Sequence, residues 1–216
     1  MTPFKVVSIV VDNRGWFDQH AQILKVKLIA LGVDCIICHS QSNIRQGDVA
    51  FFLSCTQITP EKILRRNTNN IVVHASDLPK GRGFSPLVWQ ILEGKRKVPV
   101  TMLKMTSNVD SGPILMQRTL NSMGHELNSE LRGMLGKIIV SMCVDYVVDP
   151  LAFPPKKQKG EPSWYKRRHL MDSELDPEKT ITEQFNLLRT VDNDKYPAFF
   201  WKNGFKYKIK IEKVDD

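Results

Sequence analysis

The sequence contains no apolar run near the ~18 residues that a membrane-spanning helix needs, and only four cysteines among 216 residues. The first shortage argues against a helical membrane anchor, the second against a secreted disulfide scaffold. Cys35-Ile-Ile-Cys38-His39 formally matches a haem-attachment pattern, but no second cysteine pair completes a zinc half-site. It lies in the strand-like run VDCIICH, so its thiols are expected to be buried strand residues. Neither Ser76 nor Ser111 sits in a G-x-S-x-G elbow, which argues against a covalent serine mechanism. Metal-ligand spacings, internal repeats and low-complexity stretches are also missing. The opening MTPFKVVSIVVDN lacks a cleavage-site pattern and reads as a first strand, so a cytoplasmic location is expected.

What is present describes an ordinary folded chain. Apolar residues make up 42% and charged residues 25%, a balance that excludes general disorder. The length allows a full core, with one domain plus an appendage as the expected organisation. A formal net charge of +8 suggests an anionic partner. The excess is concentrated: Pro154–His169 holds six Lys/Arg against one acid, Glu161. That segment is either a solvated loop or an anion-binding one.

Periodicity divides the chain. KVVSIVV (5–11) is a strand, and Phe17, Ala21, Leu24, Leu28 and Leu31 mark a helix stopped by Gly32. Strands follow at 33–38, 49–53, 70–74 and 98–105, with helices at 60–66 and 86–94 between them. Leu127, Leu131, Leu135, Ile138, Met142 and Tyr146 trace a long amphipathic helix. Strands alternating with helices predict an α/β class, a Rossmann-like mostly parallel sheet flanked by helices. Residues 1–150 are expected to form this core. Residues 151–216 are expected to form a linker loop and a small extension, with a helix at 181–191 and a β-hairpin around Asn203-Gly204.

Ligands of such sheets bind outside the carboxyl ends of strands, where His74 falls. An imidazole exchanges protons near neutrality, although a lone strand-end histidine is more often structural. Behind it, ASDLPKGRG leaves through a proline turn and two glycines that let backbone approach a ligand. Lys80 and Arg82 in that turn suit phosphate or carboxylate. Asp110, in NVDSGPIL, is either a plain turn residue or the partner of His74, the two loops converging as strand-end loops of one parallel sheet. The acid would then orient the ring.

Val73-His74-Ala75-Ser76-Asp77-Leu78-Pro79, then Gly83, then Val109-Asp110-Ser111-Gly112, resembles the formyltransferases that use 10-formyltetrahydrofolate. The likeness covers roughly residues 5–150. HASDLPKGRGFSPLVWQILEG and EQFNLLRTVDNDKYPAFF are more narrowly similar to the sugar-nucleotide N-formyltransferases, above all that of the pseudaminic-acid pathway. The resemblance implies formyl transfer from 10-formyltetrahydrofolate to the amine of a UDP-linked 4-amino-4,6-dideoxy sugar, with His74 and Asp110 catalytic and no metal. It implies folate contacts at Phe52, Leu53, Ser54 and Gly112, where Phe52 and Leu53 also read as core. It implies nucleotide-sugar contacts near Lys80, Gly81, Arg82, Gly83 and Ser85, with Asn13 and Trp16 at the first strand end. Arg189, Asp192, Asn193 and Tyr196 are further candidates of the same kind. One position departs: the family carries asparagine two residues before the histidine, to hold the oxyanion, and Val72 stands there, with Asn69 and Asn70 upstream.

Three other readings share these residues. Methionyl-tRNA formyltransferases carry H-A-S-x-L-P, and a basic surface suits tRNA; their sizeable C-terminal RNA-binding domain is disfavoured by the roughly 65 residues after the core. A His–Asp pair with water as acceptor would hydrolyse formyl-folate. A non-catalytic basic module would use the 154–169 charges with Trp164 and Tyr165 stacking on bases, although no helix-turn-helix or RNP-like motif accompanies them. The expected partners are therefore folate and a nucleotide sugar, without nucleic acid or membrane, and the hairpin at 198–211 offers an edge strand through which a homodimer could pair.

Overall fold

A computed structural model describes residues 2–214. The chain runs β1 (Val6–Val10), α1 (Asp18–Ala30), β2 (Asp34–Cys38), β3 (Gly47–Phe52), α2 (Glu61–Leu64) and β4 (Asn67–His74). It continues with β5 (Arg82–Gly83), α3 (Pro86–Leu92), β6 (Lys97–Lys104), β7 (Ile114–Asn121) and α4 (Asn128–Val148). After α4 come β8 (Trp164–Tyr165), α5 (Ile181–Thr190), β9 (Ala198–Lys202) and β10 (Phe205–Ile209).

Six strands make the central sheet, in the order β2-β1-β3-β4-β6-β7. The first four are mutually parallel, while β6 runs antiparallel to both β4 and β7. The α/β class and mostly parallel sheet are as the alternating pattern implied. The strand β7 was not foreseen, because ILMQRTLN mixes polar and apolar residues in the manner of a one-sided edge strand rather than a buried one.

Alternation within the strands feeds two apolar clusters. Val7, Ile9 and Val11 face the larger one, shared with Leu24 and Leu28 of α1 and Leu135 and Ile139 of α4. Val10, Ala50 and Phe52 face the smaller one on the other side of the sheet, with Ile63 of α2. Cys35 belongs to the first cluster and Cys38 to the second. The two thiols therefore point to opposite faces, as three residues along a strand require, and cannot share one ligand. Burial pushes the Cys35 thiol up to about 12.

The extension has its own small core of Leu175, Leu188, Val191 and Ala198. Thr180 caps α5 with a reciprocal Glu183 contact, and β9 and β10 pair through Asn203-Gly204 as the turn residues predict. Segment 150–169 is not a free connector: β8 pairs in parallel with β5, and Lys156 exchanges backbone hydrogen bonds with Ile114. Among the described residues no helix is long and apolar enough to cross a membrane.

Candidate active site

His74 ends β4 with 7% of its surface exposed. Its Nε2 lies 2.8 Å from the carbonyl oxygen of Gly81. A carbonyl only accepts, so Nε2 carries a proton and the ring's position is fixed. Nδ1 then faces Asp110, whose Oδ2 is 3.6 Å away. The same Oδ2 accepts the Gly83 N–H at 2.9 Å.

Behind the histidine, the Gln117 amide donates to Thr101 Oγ1, and the Thr101 hydroxyl donates to the Ser76 carbonyl at 2.6 Å. Gln90 holds the Ala75 carbonyl. Three polar side chains thus fix the strand end from neighbouring elements, which supplies the rigidity a proton-handling ring needs.

The route by which Asp110 reaches His74 differs from the one expected. Because β6 is antiparallel to β4, its end at Lys104 lies opposite Ile71, about 10 Å below His74 at the usual rise per residue. The Met105 N–H still bonds to Asn70. Loop 105–113 then turns back across the face of β4 that carries Val72 and His74, and Met105 packs on the same apolar cluster as Val72. Asp110 sits in a left-handed backbone, φ +50°, a conformation that costs a non-glycine residue energy and recurs at functional sites. At Gly112 a Cβ would collide with the carbonyl of Lys104, so only glycine lets the loop close on the strand.

The two glycines of the 74–83 turn also do something other than expected. A Cβ on Gly81 would lie 2.6 Å from the Tyr165 ring, and one on Gly83 2.5 Å from the Tyr165 carbonyl. They admit the chain's own segment 163–165 rather than a ligand. Gly81 N–H donates to Ser163 Oγ, and Arg82 N–H to the Ser163 carbonyl. Arg82 lies over the Trp164 ring at 5.7 Å, and its Nη2 donates to Gln158 Oε1 at 2.7 Å, while its buried Nε has no partner among the described residues. Lys80 and Ser85 are exposed.

Strand alternation puts Val72 on the His74 face, half-buried and packed on the same apolar cluster as Cys55 and Met105. The upstream asparagines do not substitute for an amide there. Asn69 donates to the Asp48 carbonyl and Asn70 to those of Leu64 and Asn67.

The other candidates divide. Phe52 and Leu53 are core residues, 2% and 0% exposed in opposite clusters, so they offer a ligand no surface. Ser54 follows them in a left-handed turn, φ +58°, and is half-buried. Asn13 is exposed, and Trp16 packs edge-on against Phe17. Arg189 is 2% exposed and engages Glu126, Ser122 and Asn186; it is an internal cation. Asp192 pairs with Arg132 at 2.9 Å, and Asn193 exchanges hydrogen bonds with the backbone of Ile211. Tyr196 is exposed. Lys195 Nζ lies 3.4 Å from the Cβ position of Gly15, which brings this turn beside the loop of Asn13 and Trp16.

Glu126, which anchors Arg189, would be pushed up by its burial. Hydrogen bonds from Met123 N–H, Ser122 Oγ and Gly124 N–H overcome that and hold its carboxyl down at about 2. Among the described residues no three His, Cys, Asp or Glu side chains cluster as a metal site. Sequence reasoning missed Gln158, whose Nε2 donates to the carbonyls of both Asp110 and Gly112 at 2.8 Å; no spacing rule links residues 48 positions apart.

The model of the family described as formyl transferase matches residues 10–135. A methionyl-tRNA formyltransferase of Mycoplasma capricolum is 28% identical over 170 residues, covering 76% of this chain and 53% of that protein. The chain thus spans about half the length of the curated relatives it matches first. Among solved structures, a methionyl-tRNA formyltransferase from Clostridium thermocellum superposes with a TM-score of 0.83 at 22% identity, covering 98% of this chain and 94% of that one. A likely sugar N-formyltransferase from Mycobacterium tuberculosis superposes with a TM-score of 0.72 at 21% identity, covering 100% and 99%. At such identities these likenesses establish the fold.

Proposed function

The chain belongs to the formyl transferase family, and from that premise we propose that it transfers a formyl group from 10-formyltetrahydrofolate to the amine of a nucleotide-linked deoxyamino sugar. The observation that carries the reaction is the buried approach of His74 to Asp110 across the face of β4. The specific acceptor we propose is a UDP-linked 4-amino-4,6-dideoxy sugar, as in pseudaminic-acid synthesis. The tuberculosis protein, a likely sugar N-formyltransferase with the same fold, is the neighbour that this reading follows.

The donor is a co-substrate consumed in each turnover. Its flat ring suits the half-buried apolar floor of Val72, Cys55 and Met105, next to His74. Ser54 and Gly112 flank that floor, while Phe52 belongs to the apolar cluster beneath it and Leu53 faces the opposite side of the sheet. The neutral amine attacks the formyl carbon; a C–N bond forms to the sugar and the C–N10 bond of the folate breaks. Asp110 accepts the proton leaving the amine, and that proton returns to N10. His74, its Nε2–H given to the Gly81 carbonyl, stabilises the oxygen through a protonated Nδ1 as it gains charge. Val72 offers no hydrogen there, so the ring carries the oxyanion without a neighbouring amide. Lys80 and Ser85, exposed beside Arg82, are the groups suited to the acceptor's phosphates, while Arg82 itself lies over Trp164 and donates to Gln158.

The sequence relatives favour a second acceptor, the amine of methionyl-tRNA. Incubation with 10-formyltetrahydrofolate and either UDP- and dTDP-amino sugars or methionyl-tRNA, followed by mass spectrometry, separates the readings. A gain of about 28 Da on a sugar, lost in His74→Ala and Asp110→Ala, is expected. Gain on the tRNA alone overturns the sugar acceptor. Release of formate at the full rate without any amine makes the chain a hydrolase.

A further inference from the structure

Resting on the reading of Asp110 as the proton acceptor, we propose that Gln158 is the positioning residue of the Asp110 loop. Segment 154–165 then belongs to the catalytic centre.

The geometry is that of a clamp. The Gln158 carboxamide gives both its protons to loop 105–113, one to the carbonyl of Asp110 and one to that of Gly112, each at 2.8 Å. Its Oε1 accepts from Arg82 at 2.7 Å. The two carbonyls bracket Ser111, at the tip of a turn whose Asp110 backbone is left-handed, so the loop needs support from outside itself. Gly83, next to Arg82, holds the carboxylate end of the same aspartate. Gln158 thus grips the backbone of Asp110 while β5 grips its side chain, and the guanidinium of Arg82 joins the two.

Gln158 is itself seated on both sides. Two residues before it, Lys156 pairs with Ile114, N to O at 2.8 Å and O from N at 2.7 Å. Five residues after it, Ser163 receives the N–H groups of Gly81 and Arg82. Only glutamine combines two donors and an acceptor on one uncharged head with this reach; asparagine is a methylene shorter. Misplacing a catalytic group by about 1 Å lowers a rate by up to about 100-fold, so a residue with no substrate contact can govern turnover.

The test uses Gln158→Glu, which keeps the shape and the Arg82 contact but turns a carboxylate toward two carbonyls, and Gln158→Ala, which removes the head. Both are expected to lower kcat by about 10–100-fold with KM for both substrates within about twofold. In an Asp110→Asn background the further loss should vanish, because Gln158 acts through Asp110. Equal losses in both backgrounds, or an unchanged kcat, would overturn the proposal. Hydrogen exchange at the Gly83 N–H, measured without any substrate, should quicken in both variants, and unchanged protection also overturns it. This last readout stands even if the wild-type chain formylates no amine tested, a result that would instead sink the transfer reading.

Discussion

Turn 74–83 and turn 189–196 carry similar residue types, cations beside acids and small polar groups, and both resemble substrate-contacting segments. Their internal chemistry differs. In the first, Lys80 is exposed and Asp110 faces His74 at 3.6 Å, longer than a hydrogen bond. In the second, Arg189 is bonded to Glu126, Ser122 and Asn186, Asp192 to Arg132, and Asn193 to Ile211. Groups with unused hydrogen-bonding capacity can meet a substrate; groups fully engaged within the fold hold it together. The first turn should therefore lose chemistry on mutation and the second should lose stability.

The sharpest break of that contrast is in rate. His74→Ala and Asp110→Asn should each lower kcat by about 100- to 10,000-fold while melting temperatures stay close to wild type, as a transfer assay paired with a thermal melt would show. Substantial unfolding of either variant would make the pair structural.

Arg189→Met should behave in the opposite way. It leaves the buried Glu126 without its cation, a loss of about 3–5 kcal/mol in urea unfolding, with kcat per folded molecule unchanged. A fall in kcat at full stability would return Arg189 to the substrate.

Acid should probe the same pair. The Glu126 carboxyl is held at about 2 in the fold, against an ordinary 4.5. Its contribution is complete above pH 4.5 and is lost as pH falls toward 2. The drop is on the order of 3 kcal/mol. Urea titrations across that window should show the slope, and Glu126→Gln should flatten it.

The smallest effect concerns Val72→Asn, which returns an amide to the His74 face. We expect kcat to rise about tenfold, part of what one oxyanion donor supplies, and stability to fall by about 1 kcal/mol because the site is half apolar. An unchanged kcat would mean that His74 holds the oxyanion alone.

Local pattern made much of this legible. Valine-rich β1, the spacing along α1 and α4, and Asn203-Gly204 each state their structure within a few residues, because side-chain period and turn stereochemistry are local properties. The motif around His74 and the Asp-Ser-Gly turn were likewise readable as residues of interest. The antiparallel course of β6 was not, and the parallel-sheet argument for joining His74 to Asp110 reached the right pair by the wrong path. Nor was the basic segment 154–169 legible. Its charge suggested a solvated loop or an anion site, yet Lys166 pairs with Asp172, Arg167 lies over Phe84, and Arg168 lies over Trp89.

By itself the sequence determined the α/β elements, the family motif, and a valine where the family places an asparagine. Only the tertiary structure decided what the glycines of the turn admit, which cations are engaged internally, and that Gln158 meets Asp110. The physical reason is range. Propensity, period and turn geometry act over a few residues, whereas those contacts depend on which surfaces meet after the chain has folded back on itself.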